Sequence, residues 1–221
     1  MKRAIALLIF VLPIIAFAQN KNEDWACIRR YENDNAKVVV RPKAVLYGDS
    51  ITDVWPKRDP SFFTDNNFVG RGISGQTTSQ ILVRMQQDVV ALSPKYVVIL
   101  CGINDIALNK WHAVDIDAAI ANIKSMCDIA RAHKIRPVVC TLLPSYKIKW
   151  RPELGDVLDI VREFNSKLVA YATANHVKVA DYYSIFAGND GRISAKYSDD
   201  TVHPNLEGYR IMENCILEIL K

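Results

Sequence analysis

The sequence predicts an α/β protein built on a five-stranded parallel sheet with helices on both faces. Three observations carry this. Short apolar runs alternate with stretches whose apolar residues recur at helical spacing, the pattern of strand–helix–strand units. The run Tyr96-Val97-Val98-Ile99-Leu100-Cys101 is apolar without interruption, as in a strand covered on both faces. The run Val45-Leu46-Tyr47 stops at Gly48, and an acid and a serine follow at once. With 221 residues, no internal repeat, no low-complexity tract and no linker rich enough to divide it, the chain reads as one domain.

In order along the chain, residues 19–37 form a polar lead-in with a short helix around Trp25 to Tyr31. Pro42 breaks the first apolar region, so the first strand is Lys43 to Tyr47. Residues 52–66 carry Pro56 and Pro60 and read as a loop with a short helix. Asn67 to Gly70 is a short second strand, followed by a tight turn with Gly72 and Gly75. Thr77 or Thr78 then caps a helix with Ile81, Leu82, Met85 and Val89 on one face, and Pro94 ends it. The third strand is Tyr96 to Cys101, with Gly102-Ile103-Asn104-Asp105 as its exit turn. Residues 115–134 place Ile116, Ala119, Ile120, Ile123, Met126, Cys127 and Ala130 on one helical stripe. Pro137 to Leu142 is the fourth strand, 143–155 a long loop, 156–174 a helix, Val177 to Asp181 the fifth strand and 182–202 a loop. Pro204 opens the last helix.

Composition narrows the function classes. Met1-Lys2-Arg3, the apolar stretch Ala4 to Phe17 and the small-x-small site Ala16-Phe17-Ala18 read as a signal peptide. Its removal leaves residues 19–221 as the domain, an exported chain placed in the periplasm or outside the cell. The apolar stretch is short for a membrane span and contains Pro13, so no stable membrane anchor is expected. The net charge of +4 falls by two without Lys2 and Arg3, too little for a nucleic-acid footprint. Export permits disulfides, but five cysteines cannot all pair within the chain. Cys101, Cys127, Cys140 and Cys215 fall on apolar runs or stripes, so buried free thiols are favoured. The cysteine and histidine spacings suggest no metal site.

The chemistry centres on Ser50. Ligands of open parallel sheets bind at the carboxyl ends of the strands, and Ser50 follows one such end. A serine nucleophile needs a base. His133 and His176 sit near helix ends, where a basic residue is usually a solvated partner of the dipole. His112 lies on a loop beside Trp111. His203 differs, because Asp200 stands three residues before it and a turn brings a carboxylate and an imidazole at that spacing to the same side. Alone, this pattern also suits a simple turn leading into a helix. An acyl-transfer intermediate further needs N–H donors for its oxyanion. The Gly72–Gly75 turn and Asn104 both fall at strand ends on the same edge as Ser50.

Four blocks then carry a resemblance: Gly48-Asp49-Ser50-Ile51, Gly72-Ile73-Ser74-Gly75-Gln76-Thr77, Gly102-Ile103-Asn104-Asp105 and Asp200-Thr201-Val202-His203-Pro204. In that order they resemble the SGNH hydrolase superfamily, the GDSL-type lipases and acylhydrolases, with isoleucine at 51 where leucine is commonest. The resemblance runs from about residue 43 to 221. It implies a three-layer α/β/α sandwich of flavodoxin-like form and a serine hydrolase acting on carboxylic esters without metal or cofactor. Ser50 would be the nucleophile, His203 the base and Asp200 its orienter. The oxyanion hole would comprise the Ser50 N–H, the Gly75 N–H, with Gly72 as fallback, and the Asn104 side chain. Asp49 is read as a structural residue of the turn.

No apolar insertion resembles a lid. The loops expected near substrate carry Trp55, Trp111, His112, Tyr146 and Trp150 beside Arg58, Lys147, Lys149 and Arg151, a mixture that suits a sugar or another polar ester. Trp55 and Trp150 equally suit a cover for the sheet edge. The expected partner is therefore a small-molecule or polysaccharide ester, with acetyl removed from carbohydrate as the first reading. A lysophospholipase, thioesterase or platelet-activating-factor-acetylhydrolase-like enzyme is the second. A non-catalytic carbohydrate-binding module is the remote third. Oligomeric state is not readable.

Overall fold

Five strands form the sheet in the computed structural model: β1 (Ala44–Gly48), β2 (Phe68–Gly72), β3 (Tyr96–Leu100), β4 (Arg136–Cys140) and β5 (Lys178–Ala180). Residues 24–109 and 113–221 are described; the leader expected at 1–18 and the pair Trp111 and His112 lie outside them. All neighbouring strands are parallel, in the order β2-β1-β3-β4-β5. Every residue of β1 and of β3 is buried, which is what their uninterrupted apolar runs require.

The helices are α1 (Glu32–Asn35), α2 (Ser50–Arg58), α3 (Pro60–Asp65), α4 (Thr78–Val83), α5 (Ile103–Ile106), α6 (Ile116–Ala132), α7 (Leu158–Ala174), α8 (Tyr182–Phe186) and α9 (Leu206–Ile219). They divide into two layers. Trp55 of α2 lies 5.2 Å from the Tyr209 ring of α9, and the Tyr209 hydroxyl donates to the Ile51 carbonyl at 2.8 Å. On the other side, α6 packs against both α4 and α7. Right-handed crossovers explain the division, because the strand order reverses direction after β2 and the connections then run on the opposite face. The reversal leaves a crevice outside the carboxyl ends of β1 and β3, the usual ligand position in this topology.

Several elements differ from the sequence expectation. Residues 53–66 are not mainly loop: α2 continues through Pro56 and α3 starts at Pro60, whose fixed φ suits a first helical turn. The helix expected at 25–31 is a run of turns, and the regular turn falls later, at α1. The helix expected through Val89 stops as α-helix at Val83 and resumes as a π-helical turn, Gln86–Val90. That break accommodates a wholly buried ion pair between Arg84 and Asp88. The loop expected at 182–202 contains α8, capped by the Asp181 carboxylate on the Ser184 N–H at 3.2 Å. Pro204 precedes the last helix instead of opening it; Asn205 is the cap and accepts from the Gly208 N–H at 3.1 Å.

All five cysteines are free thiols, with Cys101, Cys127 and Cys140 buried, Cys215 partly buried and Cys27 exposed. Burial raises the Cys127 thiol to about 11 and pushes Cys101 and Cys140 higher, which keeps them as packing groups.

Candidate active site

Ser50 is the first residue of α2, directly after β1. Its backbone N–H therefore has no intrahelical acceptor and points with the helix dipole toward the crevice. Asp49 caps the helix by accepting from the Ile51 N–H at 3.1 Å. Its other oxygen is buried without a partner, and burial raises the carboxyl to about 7 against the pull of the Ile51 N–H. The structural role expected for Asp49 agrees with this cap.

The Ser50 Oγ stands 2.8 Å from His203 Nε2, and His203 Nδ1 stands 2.6 Å from Asp200 Oδ2. The loop carrying the pair is a tight turn with Thr201 at φ 71. Asp200 Oδ1 accepts from the Val202 N–H at 2.9 Å and the His203 N–H at 2.7 Å, so one oxygen builds the turn and the other meets the ring. Burial pushes the Asp200 carboxyl up, but the hydrogen bonds from the His203 ring, the His203 N–H and the Val202 N–H outweigh it and hold it well below the usual carboxylate range. The hydrogen bond from Asp200 raises His203 above its ordinary value, with burial opposing. Asp49 adds a smaller upward pull, one that fades as its own carboxyl takes a proton. Such a chain can take a proton from the hydroxyl and stabilise the resulting imidazolium.

Two further turns complete the crevice. Gly75 has φ 78, a conformation costly for side-chain-bearing residues, and its N–H has no protein acceptor among the described residues. Gly72 is a different case. It ends β2, and a Cβ there would meet the Asp53 N at 2.1 Å, so its glycine serves the close approach of β2 to α2. Between them, Ser74 donates from its N–H at 3.3 Å and its hydroxyl at 2.7 Å to Asp53 Oδ2, tying the glycine turn to the first turn of α2. From the end of β3, Asn104 is almost wholly buried and donates through Nδ2 to the Gln76 carbonyl at 3.0 Å. The next residue, Asp105, accepts from the Thr78 N–H and hydroxyl at 2.9 and 2.7 Å, which joins the β3 exit turn to the start of α4. Burial lifts the Asp105 carboxyl to about 6 despite those bonds.

These groups open into a cavity of about 670 Å³ whose wall includes Ser50, Gly75, Asn104, Asp200 and His203. Of the side chains expected to meet substrate, Trp150 lies on this wall, 40% exposed, with its ring 5.8 Å from the His203 ring. Trp55 does not. It is 2% exposed, stacks on Phe62 at 5.5 Å and donates its indole N–H to Glu213 at 3.0 Å, so it is a core residue of the α2–α9 layer. Tyr146 is also off the wall, half-buried with the Arg192 guanidinium 5.1 Å from its ring. Arg58 and Lys149 do reach the wall, together with Val54 and Asn109. Among the described residues no cluster of His, Cys, Asp or Glu has the makings of a metal site.

The sequence profile of the GDSL-like lipase/acylhydrolase family matches residues 46–211. The chain belongs to this family. Its members form a class of ester-hydrolysing enzymes, and the solved structures agree. A GDSL-like lipase from Bacteroides thetaiotaomicron is 38% identical and superimposes with a TM-score of 0.84 over 89% of this chain and 98% of its own. A candidate acylhydrolase from Bacteroides fragilis is 40% identical, with a TM-score of 0.85 over 90% and 97% of the two chains. An acetyl xylan esterase, AlAXEase, shares the fold at 19% identity, with a TM-score of 0.66 over 80% of this chain and 99% of its own. The chain spans less than half the length of the two curated relatives it matches, 40% and 33%.

Asn109 had no motif to announce it. Its amide meets Asn104, Gly75 and Trp150 at once. The one available signal was its place five residues after Asn104 on the same exit turn.

Proposed function

We propose that the chain is an exported serine esterase that removes short acyl groups, acetyl foremost, from carbohydrate. The observation that carries the chemistry is the unbroken chain Ser50 Oγ–His203 Nε2–Asp200 at 2.8 and 2.6 Å, opening into the cavity. His203 takes the Ser50 proton as Oγ attacks the ester carbonyl, and Asp200 stabilises the imidazolium that forms. The Ser50 N–H, the Gly75 N–H and the free proton of the Asn104 amide hold the oxyanion. His203 then protonates the leaving alcohol, and water activated by the same ring releases the acid from Ser50. The leader-like pattern of residues 1–18, a basic start, an apolar stretch and Ala16-Phe17-Ala18, supports export; no helix among the described residues is long and apolar enough to cross a membrane.

The carbohydrate reading rests on the shape and lining of the cleft. The wall beside Ser50 sets an exposed tryptophan among amide and charged groups, Asn104, Asn109, Arg58 and Lys149. A second cavity of about 590 Å³ adjoins it through Ser74, Gly75 and Asn109 and ends at Trp25, which is 47% exposed. Two adjoining cavities, each with an exposed tryptophan on its wall, suit a chain of sugars better than a compact ester. The shared fold with an acetyl xylan esterase is consistent with that class of substrate.

A lysophospholipase-type activity is the second reading, favoured by Arg58 and Lys149 on the wall, two cations able to meet a phosphate. A panel of acetylated xylo-oligosaccharides, lysophosphatidylcholine and p-nitrophenyl esters of rising chain length separates the two. The first reading predicts the highest kcat/KM on acetylated oligosaccharide and falling turnover beyond short acyl chains. Equal or better turnover of C8 to C16 esters or of lysophosphatidylcholine overturns it.

A further inference from the structure

We infer that Asn109 is a positioning residue: it fixes the Asn104 amide and the Gly75 turn as one oxyanion-binding unit and links that unit to Trp150 in the substrate-side loop. The inference deepens the reading above and rests on its assignment of Asn104 and Gly75.

The Asn109 amide uses each of its main hydrogen-bonding positions. Nδ2 donates to Asn104 Oδ1 at 2.7 Å and to the Gly75 carbonyl at 3.2 Å. Oδ1 accepts from the Trp150 indole N–H at 3.0 Å. Only one orientation satisfies these partners. A flipped Asn109 amide would set its carbonyl against two acceptors and its NH₂ against a donor. The same logic passes to Asn104. Its Oδ1 is held by Asn109 and one Nδ2 proton by the Gln76 carbonyl at 3.0 Å, so the second Nδ2 proton is the one left for the crevice. A turned Asn104 would bring its oxygen toward the Gln76 carbonyl and toward the oxyanion position.

The two donors so joined come from different loops. Gly75 follows β2 and Asn104 follows β3, and those strands are not neighbours in the sheet. Their separation is set across β1, where a small error of placement would leave an oxyanion poorly bound. Asn109 spans the gap at the cavity wall. Its backbone N–H also donates to the Asn104 carbonyl at 3.1 Å, which fixes its own position relative to Asn104.

Trp150 extends the link to the loop after β4. Its neighbour Arg151 donates to the Leu108 carbonyl at 2.8 Å, and Lys149 donates to the Asp199 carbonyl at 2.8 Å, beside the Asp200–His203 turn. One segment, 149–151, thus touches both the oxyanion side and the base side of the cleft. A substrate resting on Trp150 presses on the residue that aims Asn104.

The test is a double-mutant cycle on p-nitrophenyl acetate, with Ser50→Ala as the blank. Asn109→Leu removes both side-chain donations at similar volume and should lower kcat about 10- to 100-fold, the range for two lost hydrogen bonds, with KM changed less than about threefold. In the Asn104→Ala background the same change should cost clearly less than in wild type, since only the hold on the Gly75 carbonyl is then left to lose. Trp150→Phe keeps an aromatic face but removes the indole N–H with its five-membered ring; it should cost about 3- to 10-fold in kcat in wild type and much less alongside Asn109→Leu. A full multiplicative loss for Asn109→Leu in the Asn104→Ala background overturns the inference, as does a silent Asn109→Leu or a silent Trp150→Phe. A silent Asn104→Ala overturns the inference and the oxyanion reading together, whereas an impaired Asn104→Ala with silent partners overturns the inference alone. If Asn109→Leu fails to fold, Trp150→Phe with and without Asn104→Ala gives the same decision.

Discussion

Replacing Asp200 by asparagine isolates the orienting role from the turn it builds. Oδ1 of Asp200 holds the Val202 and His203 N–H groups, and asparagine keeps that oxygen. Oδ2 accepts from His203 Nδ1 at 2.6 Å, and asparagine puts an NH₂ there. Two donors cannot face each other, so the imidazole moves its proton to Nε2. That atom lies 2.8 Å from Ser50 Oγ and, once protonated, cannot take the hydroxyl proton. Losing a charge-assisted hydrogen bond accounts for about 1.5–3 kcal/mol. The wrong tautomer adds the rest of a loss of about 10³–10⁴ in kcat, the scale seen when an orienting carboxylate of this kind is neutralised. The pH profile should move as well. A general base works as the neutral ring, so activity is present above the folded pKa of His203 and lost as pH falls through it. Asp200 raises that pKa above 6.5, placing the acid limb of wild-type kcat/KM above 6.5. In Asp200→Asn burial is opposed only by the smaller pull of Asp49, and the limb moves down. The assay is p-nitrophenyl acetate hydrolysis from pH 5 to 9, with a melting curve to show that the fold is kept. Retention of more than about a tenth of wild-type kcat/KM, or an unmoved acid limb, refutes the reasoning.

Other predictions follow from the same geometry. The Asp200–His203 pair also links stability to pH: the lowered Asp200 contributes above its unfolded value of 3.8 and the raised His203 contributes below its unfolded 6.5, so the Tm gap between wild type and Asp200→Asn should be widest between about pH 4 and 6.5 and narrow on both sides. Gly72→Ala forces a Cβ against the Asp53 N at 2.1 Å and should destabilise by about 1–3 kcal/mol in denaturant unfolding. Gly75→Ala meets only Asn109 Nδ2 at 3.8 Å, so its cost is the φ of 78, about 1–2 kcal/mol, with an additional loss of kcat that Gly72→Ala does not share once folded. Trp55→Ala should cost about 3–5 kcal/mol of stability while leaving KM for small esters unchanged in the folded fraction, because the residue is core and not cleft.

What the sequence made legible followed physical regularity. The uninterrupted run at Tyr96–Leu100 declared a doubly covered strand, and the glycine blocks marked strand ends because a Cβ does not fit there or because φ is positive. Asp200 and His203 were legible only together with the other three blocks, because their three-residue spacing alone also suits a turn leading into a helix; in the structure the turn at Thr201 brings their side chains together. The rest depended on partners far along the chain. Trp55 and Trp150 look alike in sequence, and what separates them is Phe62, Tyr209 and Glu213 around the first, and Asn109 and open cavity around the second. The break after Val83 was hidden because an arginine and an aspartate four residues apart suit the exposed face of an unbroken helix, yet Arg84 and Asp88 are wholly buried. Asn109 was hidden because its role is defined by its partners, Asn104 on its own turn and Gly75 and Trp150 on two others.

The most direct test of the central claim is to capture the acyl-enzyme. Rapid-quench of the protein with p-nitrophenyl acetate, followed by peptide mass mapping, should show acetyl on the peptide carrying Ser50 and at that residue. The adduct should be missing in Ser50→Ala and should accumulate more slowly in His203→Ala. Turnover by Ser50→Ala, or an adduct formed at a different residue at the catalytic rate, would contradict the account.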